Sequence, residues 1–325
     1  MKILITGVAG FIGSHLCLKL LELGHQIIGV DNLNDYYDIK LKKDRLKLIK
    51  DYAKNKKKKF QFVKTDISKI QMMKKIFSDN KFSIIFHLAA QAGVRFSIKN
   101  PDQYYQSNIR GFYNILDLSK KYKINHLFFA SSSSVYGDNM DLPSKETSNT
   151  DRPISFYAAT KKINEVMAYS YSAIYKLPTT ALRFFTVYGP YGRPDMSLYK
   201  FFDNITKGKN INVFNHGKHE RDFTYIDDVI KMLIKIKDTV PKKDVPYQCF
   251  NIANGKPVKI IDYIKLISKV IKKDVKIKYL DLQKGDVKKT HASSKVIKKK
   301  IGSFKSTKLE EGLKKYHQWF LKYYY

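Results

Sequence analysis

The beginning of the chain constrains its fold more than any other stretch. Lys2–Thr6 is rich in apolar, β-prone residues and leads directly into glycines at positions 7, 10 and 13. Five leucines between positions 16 and 23 then form an apolar helical pattern. We therefore predict a strand, a tight turn and a helix, which is the arrangement that binds the pyrophosphate of a dinucleotide.

Each glycine has a separate role in such a turn. Gly7 permits the turn, Gly10 lets the backbone approach a pyrophosphate, and Gly13 lets the helix pack close to the strand. The helix N-terminus offers free N–H groups and a positive dipole end to the phosphates. The predicted cofactor contacts of this turn are Gly7, Gly10, Phe11, Ile12 and Gly13.

A carboxylate follows the next predicted strand. Gln26–Val30 is apolar and ends at Asp31, which lies near the usual spacing for a carboxylate that binds the adenosine ribose. Asn32 comes next and is included in the predicted cofactor site. Because a carboxylate at this place repels a 2′-phosphate, we expect NAD rather than NADP. The lysines at 40, 42 and 43 lie well downstream, and we expect none of them to reverse this preference.

Further predicted strands also end in residues suited to the cofactor. Phe60–Lys64 is followed by Asp66 and Ile67, where the acid either binds the adenine amino group or caps the helix near Ser68. Phe82–Leu88 is followed by small residues that allow a flat ligand to approach the backbone. The predicted contacts after this strand are Leu88, Ala89 and Ala90.

Strands alternate with helices over the first 185 residues, which predicts an α/β fold with a doubly wound, mostly parallel Rossmann sheet. We place this cofactor-binding domain at 1–188, with parts of 223–255 returning to it. The remainder, 189–325, has short elements punctuated by glycine and proline. We therefore predict a smaller C-terminal α+β lobe that binds the substrate.

The formal net charge of +32 first suggests a nucleic-acid-binding protein. However, only seven of the 61 basic residues are Arg, and the lysines are scattered along the whole chain. Nucleic-acid sites usually use Arg for bidentate contacts, so we expect no nucleic-acid partner and attribute the charge to codon bias. Two isolated cysteines, Cys17 and Cys249, and the absence of a long apolar run predict a cytoplasmic protein with no membrane span and no metal site.

The chemistry-bearing residues follow the fifth predicted strand. Tyr157 and Lys161 are four positions apart on one predicted helix, so both side chains project from one face. A nearby ammonium stabilises a phenolate, which makes Tyr157 a plausible acid and base. The serine cluster 131–134 ends the preceding strand, and one of its hydroxyls could contact the same substrate oxygen.

The combination of these motifs resembles the extended short-chain dehydrogenase/reductase family, whose members are nucleotide-sugar epimerases and dehydratases. The resemblance covers essentially the whole chain. Several further runs are similar to one branch, the UDP-glucuronate 4-epimerases, namely Asp31–Tyr37, Ala89–Arg95, Leu182–Pro190, Gly192–Met196 and Arg221–Asp228.

This resemblance implies a reaction. It implies that NAD stays bound, that Tyr157 and Lys161 act with Ser132 on the sugar 4-hydroxyl, and that Ser133 and Ser134 contact the substrate. Lys161 would also hold the nicotinamide ribose. Dehydratases of the family carry Asp-Glu just before the Val-Tyr-Gly run, whereas this chain has serines there. An epimerase is therefore the better match, because no acid is present to protonate a leaving hydroxyl.

The resemblance also implies the substrate contacts. A guanidinium suits a carboxylate, so Arg193, with Thr186 and Arg95, is expected to bind the C6 carboxylate of UDP-glucuronate. The remaining implied contacts are Arg221 to the phosphates, Asp286 to the uridine ribose, and the backbone of Val213 and Phe214 to uracil. The chain departs from the family at Lys284 and Ala292–Ser293, where relatives usually have Pro and Ala-Asp.

Two alternatives stay open at this point: a 4-epimerase for UDP-glucose or UDP-N-acetylglucosamine, and a non-catalytic NAD-binding protein. The family resemblance further implies polysaccharide biosynthesis and a homodimer formed by two long helices, 102–122 and 155–175. The side chains that could pack there, or could equally be core, are Tyr104, Tyr105, Phe112, Tyr113, Met167, Tyr171 and Tyr175.

Overall fold

The computed structural model describes residues 1–283 and 285–325, so Lys284, the departure noted above, lies outside the described residues. The first part of the chain contains β1 (Lys2–Thr6), α1 (Phe11–Glu22), β2 (Gln26–Asp31), α2 (Ile39–Asn55), β3 (Phe60–Lys64), α3 (Ile70–Ser78), β4 (Ile84–His87), α4 (Val94–Lys99), α5 (Pro101–Tyr104), α6 (Gly111–Lys121), β5 (His126–Ser132), α7 (Phe156–Tyr175) and β6 (Thr179–Phe184).

The second part contains shorter strands between its helices. These elements are β7 (Thr186–Tyr188), α8 (Ser197–Thr206), β8 (Ile211–Phe214), β9 (Glu220–Tyr225), α9 (Ile226–Ile236), β10 (Tyr247–Ile252), β11 (Pro257–Lys259), α10 (Ile260–Ile271), β12 (Ile277–Leu280), α11 (Lys295–Ile301) and α12 (Leu309–Tyr324).

The predicted doubly wound sheet is confirmed. Seven strands lie in the order β10-β6-β5-β4-β1-β2-β3, and every neighbouring pair is parallel. The strand order reverses between β1 and β4, and ligands of such sheets bind outside the carboxyl ends of the strands at this switch point. The glycine-rich turn after β1 therefore lies where a dinucleotide would be expected.

Each face of the sheet is covered by helices because the strands are apolar on both sides. Along β1, Ile3 and Ile5 belong to one buried cluster and Leu4 to the other, as alternation along a strand requires. The first cluster contains residues of α1 and α9, and the second contains residues of α3, α6 and α7. Both clusters hold the carboxyl ends of β1 and β4 in fixed positions.

The smaller sheets lie in the C-terminal part of the chain. One has three strands in the order β11-β9-β7, and the other pairs β12 with β8 in parallel. β10 does not join them and lies instead beside β6 in the large sheet, while α9 packs against α1. The division of the chain at residue 188 remains a prediction.

One predicted helix has a different form in the structure. The long helix expected over 102–122 is interrupted by a π-helical segment, Tyr105–Arg110, between α5 and α6. Such bulges are frequent at functional sites. Here the bulge carries the buried side chain of Asn108, which bonds both the backbone N–H and the carbonyl of Gln91 at 2.8 and 2.9 Å. Tyr104 and Phe112, offered above as packing residues for a dimer, are buried in the core.

The lysine-rich helix α2 is more than a solvated surface helix. Its inner face buries Leu41, Leu46 and Ile49 as an amphipathic helix should. The same inner face carries two basic residues, Lys42 and Arg45, which are 6% and 1% exposed. Buried cations are rare unless they have partners, so each of these two side chains needs hydrogen-bond acceptors within the fold.

Candidate active site

A cavity of about 1020 Å³ lies at the carboxyl ends of the large sheet. Its volume is at the upper end of the range for ligand sites. Every residue assigned to the site from the sequence lines this cavity, with the exception of Asp66. The structure therefore brings the predicted cofactor, catalytic and substrate residues together.

The glycine-rich turn has the shape of a phosphate cradle. Gly7 has φ of +73°, and a Cβ there would lie 2.7 Å from the backbone N of Ala89. A Cβ on Gly10 would lie 2.9 Å from the Gly7 carbonyl oxygen, and one on Gly13 would overlap that oxygen. Ser14 is the first residue of α1 to donate to a helical carbonyl, at Gly10, so the three preceding N–H groups are left for a ligand. The turn therefore fits a pyrophosphate.

Asp31 is held rigidly at the end of β2. Its carboxylate accepts the backbone N–H groups of Ala9, at 3.1 Å, and Leu33, at 2.9 Å. Burial raises the pKa of this carboxyl, while these bonds and the cations of Lys42 and Arg45 oppose the rise. A fixed acceptor at this place suits the hydroxyl groups of a ribose.

Lys42 lies closer to this site than its position in the sequence suggests. α2 folds back over the end of β2, so Lys42 lines the cavity and its ammonium donates to the carbonyl of Asn34 at 2.7 Å. Burial lowers the pKa of Lys42, and Asp31 opposes that change. Although Lys42 borders the cavity, the expectation that it does not reverse the preference for NAD stays a prediction.

Asp66 performs a local structural task. One carboxylate oxygen accepts the backbone N–H and the hydroxyl of Ser68 at 2.8 and 2.7 Å, and the other accepts the side chain of Asn32 at 2.7 Å. These bonds close the turn that precedes α3. The N-cap residue of α3 is Lys69, which has no side-chain cap bond. The contact of Asp66 with adenine stays a prediction, and the adjacent Ile67 lines the cavity.

The predicted catalytic pair, Tyr157 and Lys161, lies on the first two turns of α7. Lys161 is 2% exposed and its ammonium donates to the Ala130 carbonyl at 2.9 Å. Burial lowers the pKa of Lys161 to about 7. Burial raises the pKa of Tyr157, and the groups that oppose this rise are the hydroxyl of Ser132 and the guanidinium of Arg193. The Lys161 ammonium is directed to β5 in this structure, and its expected stabilisation of the Tyr157 phenolate stays a prediction.

The serine cluster 131–134 lies at the carboxyl end of β5 and in the turn that follows it. Ser132 lines the cavity, and its hydroxyl oxygen accepts the backbone N–H of Ser134 at 3.2 Å. Ser133 and Ser134 line the same cavity. Ser131 also borders the cavity, but its hydroxyl donates to the buried carboxylate of Glu165. The Ser131 hydroxyl is thus already engaged, which agrees with the choice of Ser132 as the partner of Tyr157.

Arg193 already has a carboxylate partner in the structure. Its Nε and Nη2 atoms lie 3.0 and 2.6 Å from the two carboxylate oxygens of Asp195, and the hydroxyl of Tyr36 donates to the same carboxylate at 3.1 Å. Burial alone would raise the pKa of Asp195, but Arg193 and Tyr36 hold it below its usual value. The guanidinium is therefore fixed in the cavity by one edge of its planar fork.

Arg95 does not join Arg193 as expected. Its Nη2 atom lies 2.9 Å from the carboxylate of Asp286, and its guanidinium lies over the ring of Phe214 at 4.8 Å. Arg221 lies near this group, and its Nη1 atom donates to the carbonyls of Glu220 and Lys288. Four predicted substrate residues are thus collected in one part of the cavity. Arg95 is engaged by this cluster, and its expected contact with a sugar carboxylate stays a prediction.

Several residues of the site are missing from the sequence predictions. Tyr36 and Asp195 lie within runs that resemble the epimerase branch, but the pairing between them spans 159 positions and only the fold shows it. Asn108 lacks any motif around it, and its role depends on the unpredicted π-helical segment. The sequence does not single out Lys42 and Arg45, because α2 contains many other basic residues.

Within residues 1–283 and 285–325, no helix is long and apolar enough to cross a membrane. In the same ranges, no three His, Cys, Asp or Glu side chains are grouped as a metal ion would require.

Comparison with known proteins identifies the family. The model of the NAD dependent epimerase/dehydratase family matches residues 3–253.

Relatives and solved structures extend this match to the whole chain. Protein CapI of Staphylococcus aureus is 46% identical over 100% of this chain and 99% of the relative. UDP-glucuronate 4-epimerase 4 of Arabidopsis thaliana is 42% identical over 100% of this chain, which covers 76% of the plant protein. The crystal structure of the UDP-glucuronic acid 4-epimerase from Bacillus cereus in complex with UDP-glucuronic acid and NAD has a TM-score of 0.91, 31% identity and 100% coverage of both chains. The chain therefore belongs to the NAD-dependent epimerase/dehydratase family, the extended short-chain dehydrogenases/reductases.

Proposed function

We propose that this protein is an NAD-dependent isomerase that interconverts UDP-glucuronate and UDP-galacturonate by epimerisation at C4. The observation that carries the proposal is the position of Arg193, which lines the same cavity as Tyr157 and Ser132. A guanidinium there is complementary to the C6 carboxylate of a uronate, while Tyr157 lies close enough to Arg193 for its pKa to respond to that charge.

The proposed chemistry uses three side chains around the sugar 4-oxygen. Tyr157 as phenolate removes the proton of the 4-hydroxyl, and Ser132 donates a hydrogen bond to the same oxygen. Bound NAD supplies an acceptor for the C4 hydride and later returns that hydride to the opposite face of C4. Lys161 binds the nicotinamide ribose, as its position below the serine turn allows. The proton returns from Tyr157 to O4, so the reaction has no net redox change.

The other contacts to the UDP-sugar are assigned to residues at the two ends of the cavity. We propose that Arg221 and Asp286 hold the diphosphate and uridine ribose, that Val213 and Phe214 hold the uracil, and that Thr186 contacts the sugar acid. Binding of UDP then requires Arg95 to exchange its contact with Asp286. Ser133 and Ser134 replace the acidic residues of a dehydratase, which favours simple epimerisation over loss of water.

A second candidate function is 4-epimerisation of a neutral UDP-sugar, UDP-glucose or UDP-N-acetylglucosamine. The observation that favours it is the pair between Arg193 and Asp195, at 2.6 and 3.0 Å. Because Asp195 already balances the guanidinium, a neutral hexose can enter the cavity without leaving a buried charge unpaired.

A direct assay separates these functions. Purified protein is incubated with UDP-glucuronate, UDP-glucose and UDP-N-acetylglucosamine, and the C4 epimers are resolved by chromatography. We expect conversion of UDP-glucuronate to be preferred and NAD to be released when the protein is denatured. Preferred conversion of a neutral sugar would favour the second candidate, and inactivity on all three would refute a 4-epimerase.

The role of Arg193 has its own test. We expect Arg193→Ala to lower kcat/KM for UDP-glucuronate relative to UDP-glucose by about 100-fold, since a charge pair in a buried site is lost. Arg152→Ala is the matched control, because Arg152 is exposed and does not line the cavity. Unchanged discrimination between the two sugars would show that Arg193 is only a structural anchor.

We also propose that the protein forms a homodimer through α6 and α7 and acts in the cytoplasm, in the synthesis of activated sugars for polysaccharides. Free Cys17 and Cys249 support a reducing compartment. We expect Val166→Asp to convert a dimer to a monomer in sedimentation experiments, and a monomeric unsubstituted protein would refute the dimer. The exposed apolar side chains that support this interface are Tyr105, Tyr113, Ile163, Val166, Tyr169, Ile174 and Tyr175.

A further inference from the structure

Arg45 is a buried cation that the proposed chemistry does not use. It lies on the inner face of α2, is 1% exposed, and does not line the cavity. A guanidinium has five N–H groups, and the geometry gives each of them an acceptor. Its Nη1 atom donates to the carbonyl of Ala9 at 3.0 Å and to the hydroxyl of Tyr37 at 2.6 Å.

The other side of the guanidinium reaches a distant part of the chain. Its Nε and Nη2 atoms donate to the carbonyl of Tyr191 at 3.1 and 2.6 Å, and Nη2 also lies 3.4 Å from the carbonyl of Gly192. Tyr191 is 146 positions from Arg45. One side chain therefore connects two loops that lie far apart in the sequence.

The two loops carry the two halves of the proposed site. Ala9 belongs to the glycine-rich turn of the cofactor cradle, and Gly192 directly precedes Arg193. The neighbouring tyrosines of the same segment act in parallel: the hydroxyl of Tyr37 accepts from Arg45, while that of Tyr36 donates to Asp195, the partner of Arg193. We call Arg45, Tyr36 and Tyr37 the brace.

The acceptors of Arg45 indicate a geometric role rather than charge pairing. Its hydrogen-bond partners are three carbonyls and one hydroxyl. Burying a cation is costly unless all its donors are satisfied. The planar guanidinium donates hydrogen bonds to both loops at once, which a lysine with three donors on a flexible stem cannot do. In a chain with only seven Arg among 61 basic residues, this use of Arg is specific.

We propose that Arg45 is a positioning residue that fixes the Arg193 guanidinium relative to the cofactor cradle, and so determines the preference for a sugar acid over a neutral sugar. The inference rests on the proposed function, because its readout is the binding of UDP-glucuronate. Loss of the brace leaves Arg193 present but displaced, so recognition of the carboxylate weakens more than recognition of UDP.

The main test compares Arg45→Lys with Arg152→Lys, an exposed control of the same chemical change. The dissociation constants of UDP-glucuronate and UDP-glucose are measured by calorimetry on the full chain as purified with its cofactor. We expect Arg45→Lys to reduce the preference for UDP-glucuronate about tenfold, since small displacements of a binding group have large effects. The constant for UDP-glucose should change much less, and the control should resemble the unsubstituted protein.

A second, more conservative substitution tests the proposal if Arg45→Lys does not fold. Tyr37→Phe removes one acceptor of the brace and retains the ring, and we expect a smaller shift in the same direction. Equal weakening of both sugars in a folded Arg45→Lys protein would overturn the proposal. An unfolded Arg45→Lys protein together with an unchanged preference in Tyr37→Phe would also overturn it.

A substrate-independent readout separates this proposal from the proposed function. Trp319 is the single tryptophan, and its ring lies 5.0 Å from that of Tyr191, so its fluorescence reports on the loop before Arg193. We expect Arg45→Lys to increase acrylamide quenching of Trp319 and Arg152→Lys to leave it unchanged. If the unsubstituted protein does not prefer UDP-glucuronate, the proposed function fails; unchanged quenching in Arg45→Lys instead refutes the brace.

Discussion

Tyr157 is the residue on which the proposed reaction depends most. Burial raises the pKa of its phenol, and a hydroxyl and a guanidinium, those of Ser132 and Arg193, act against that rise. Bound cofactor and substrate exclude water further, which strengthens every such interaction. The phenol can therefore exchange its proton with one substrate oxygen while remaining isolated from solvent.

Replacement of Tyr157 by Phe tests this role. We expect Tyr157→Phe to reduce kcat by a factor of about 10² to 10⁴, which is the usual contribution of a general acid or base. The affinity for the UDP-sugar should change little, because the ring is retained. Tyr171→Phe, on the same helix but outside the cavity, is the control. Activity within tenfold of the unsubstituted protein would exclude Tyr157 as the proton carrier.

The sequence predicts which residues belong to the site, but it does not predict which groups their side chains contact. The motifs identify Tyr157, Lys161 and Arg193, because each stands at a fixed place after a strand or a turn. They do not show that Lys161 is bound to a carbonyl of β5 or that Arg193 is already paired with Asp195. Partnerships of this kind depend on how side chains from separate loops meet, which a local pattern cannot encode.

The turn between β1 and α1 is the element with the tightest steric limits. Its glycines bring the first turn of α1, the Gly7 carbonyl and the loop after β4 into contact. A Cβ at Gly13 would overlap that carbonyl oxygen, and backbone rather than a flexible side chain would have to move. The cradle for the pyrophosphate therefore depends on this position.

We expect Gly13→Ala to lower the free energy of unfolding by roughly 1–3 kcal/mol, as overpacking does. The amount of NAD that copurifies with the protein should also decrease, because the three N–H groups of the first turn are displaced. Ser14→Ala is a suitable control, since Ser14 already has a Cβ and its hydroxyl only donates to the Phe11 carbonyl. Full NAD content in Gly13→Ala would contradict the cradle.

Secondary structure elements were predicted well where the pattern is local. The first four strands of the large sheet lie close to their predicted positions, because each is an apolar run bounded by turn residues. The π-helical segment within 102–122 was missed, since its register is set by the buried Asn108 and its bonds to the loop after β4. α2 has one buried face although lysines dominate its composition.

For the whole molecule, buried histidines predict how stability depends on pH. Burial lowers the pKa of His126 and of His87 to about 3, and that of His15 to about 4. Because these folded pKa values lie below the unfolded value of 6.5, the unfolded chain binds more protons between about pH 6.5 and pH 3. The free energy of unfolding is therefore expected to fall as the pH falls through this range.

His126 allows this expectation to be tested away from the active site. It is fully buried, and its Nε2 atom shares a hydrogen bond of 2.7 Å with Thr180. Each such histidine contributes a slope of up to about 1.4 kcal/mol per pH unit. We expect His126→Gln to have a shallower decline in urea stability between pH 6 and pH 4 than the unsubstituted protein. An unchanged slope would show that His126 does not titrate with unfolding.

The architecture of the whole molecule could be predicted from the alternation of strands and helices up to residue 185. The closing of the cavity could not, because it depends on contacts between Arg95 and Asp286 and between Arg45 and Tyr191, which are 191 and 146 positions apart. The positive charge of +32 likewise says little about function, whereas the few arginines occupy the places where a planar fork is needed.

The central claim is that C4 is oxidised and then reduced by the same hydride within one cavity. UDP-glucuronate that carries deuterium at C4 tests it most directly, with the product analysed by mass spectrometry and NMR. The account predicts UDP-galacturonate that retains the deuterium at C4, because the hydride does not exchange with solvent. Product with hydrogen at C4, or loss of CO₂ in place of epimerisation, would contradict it.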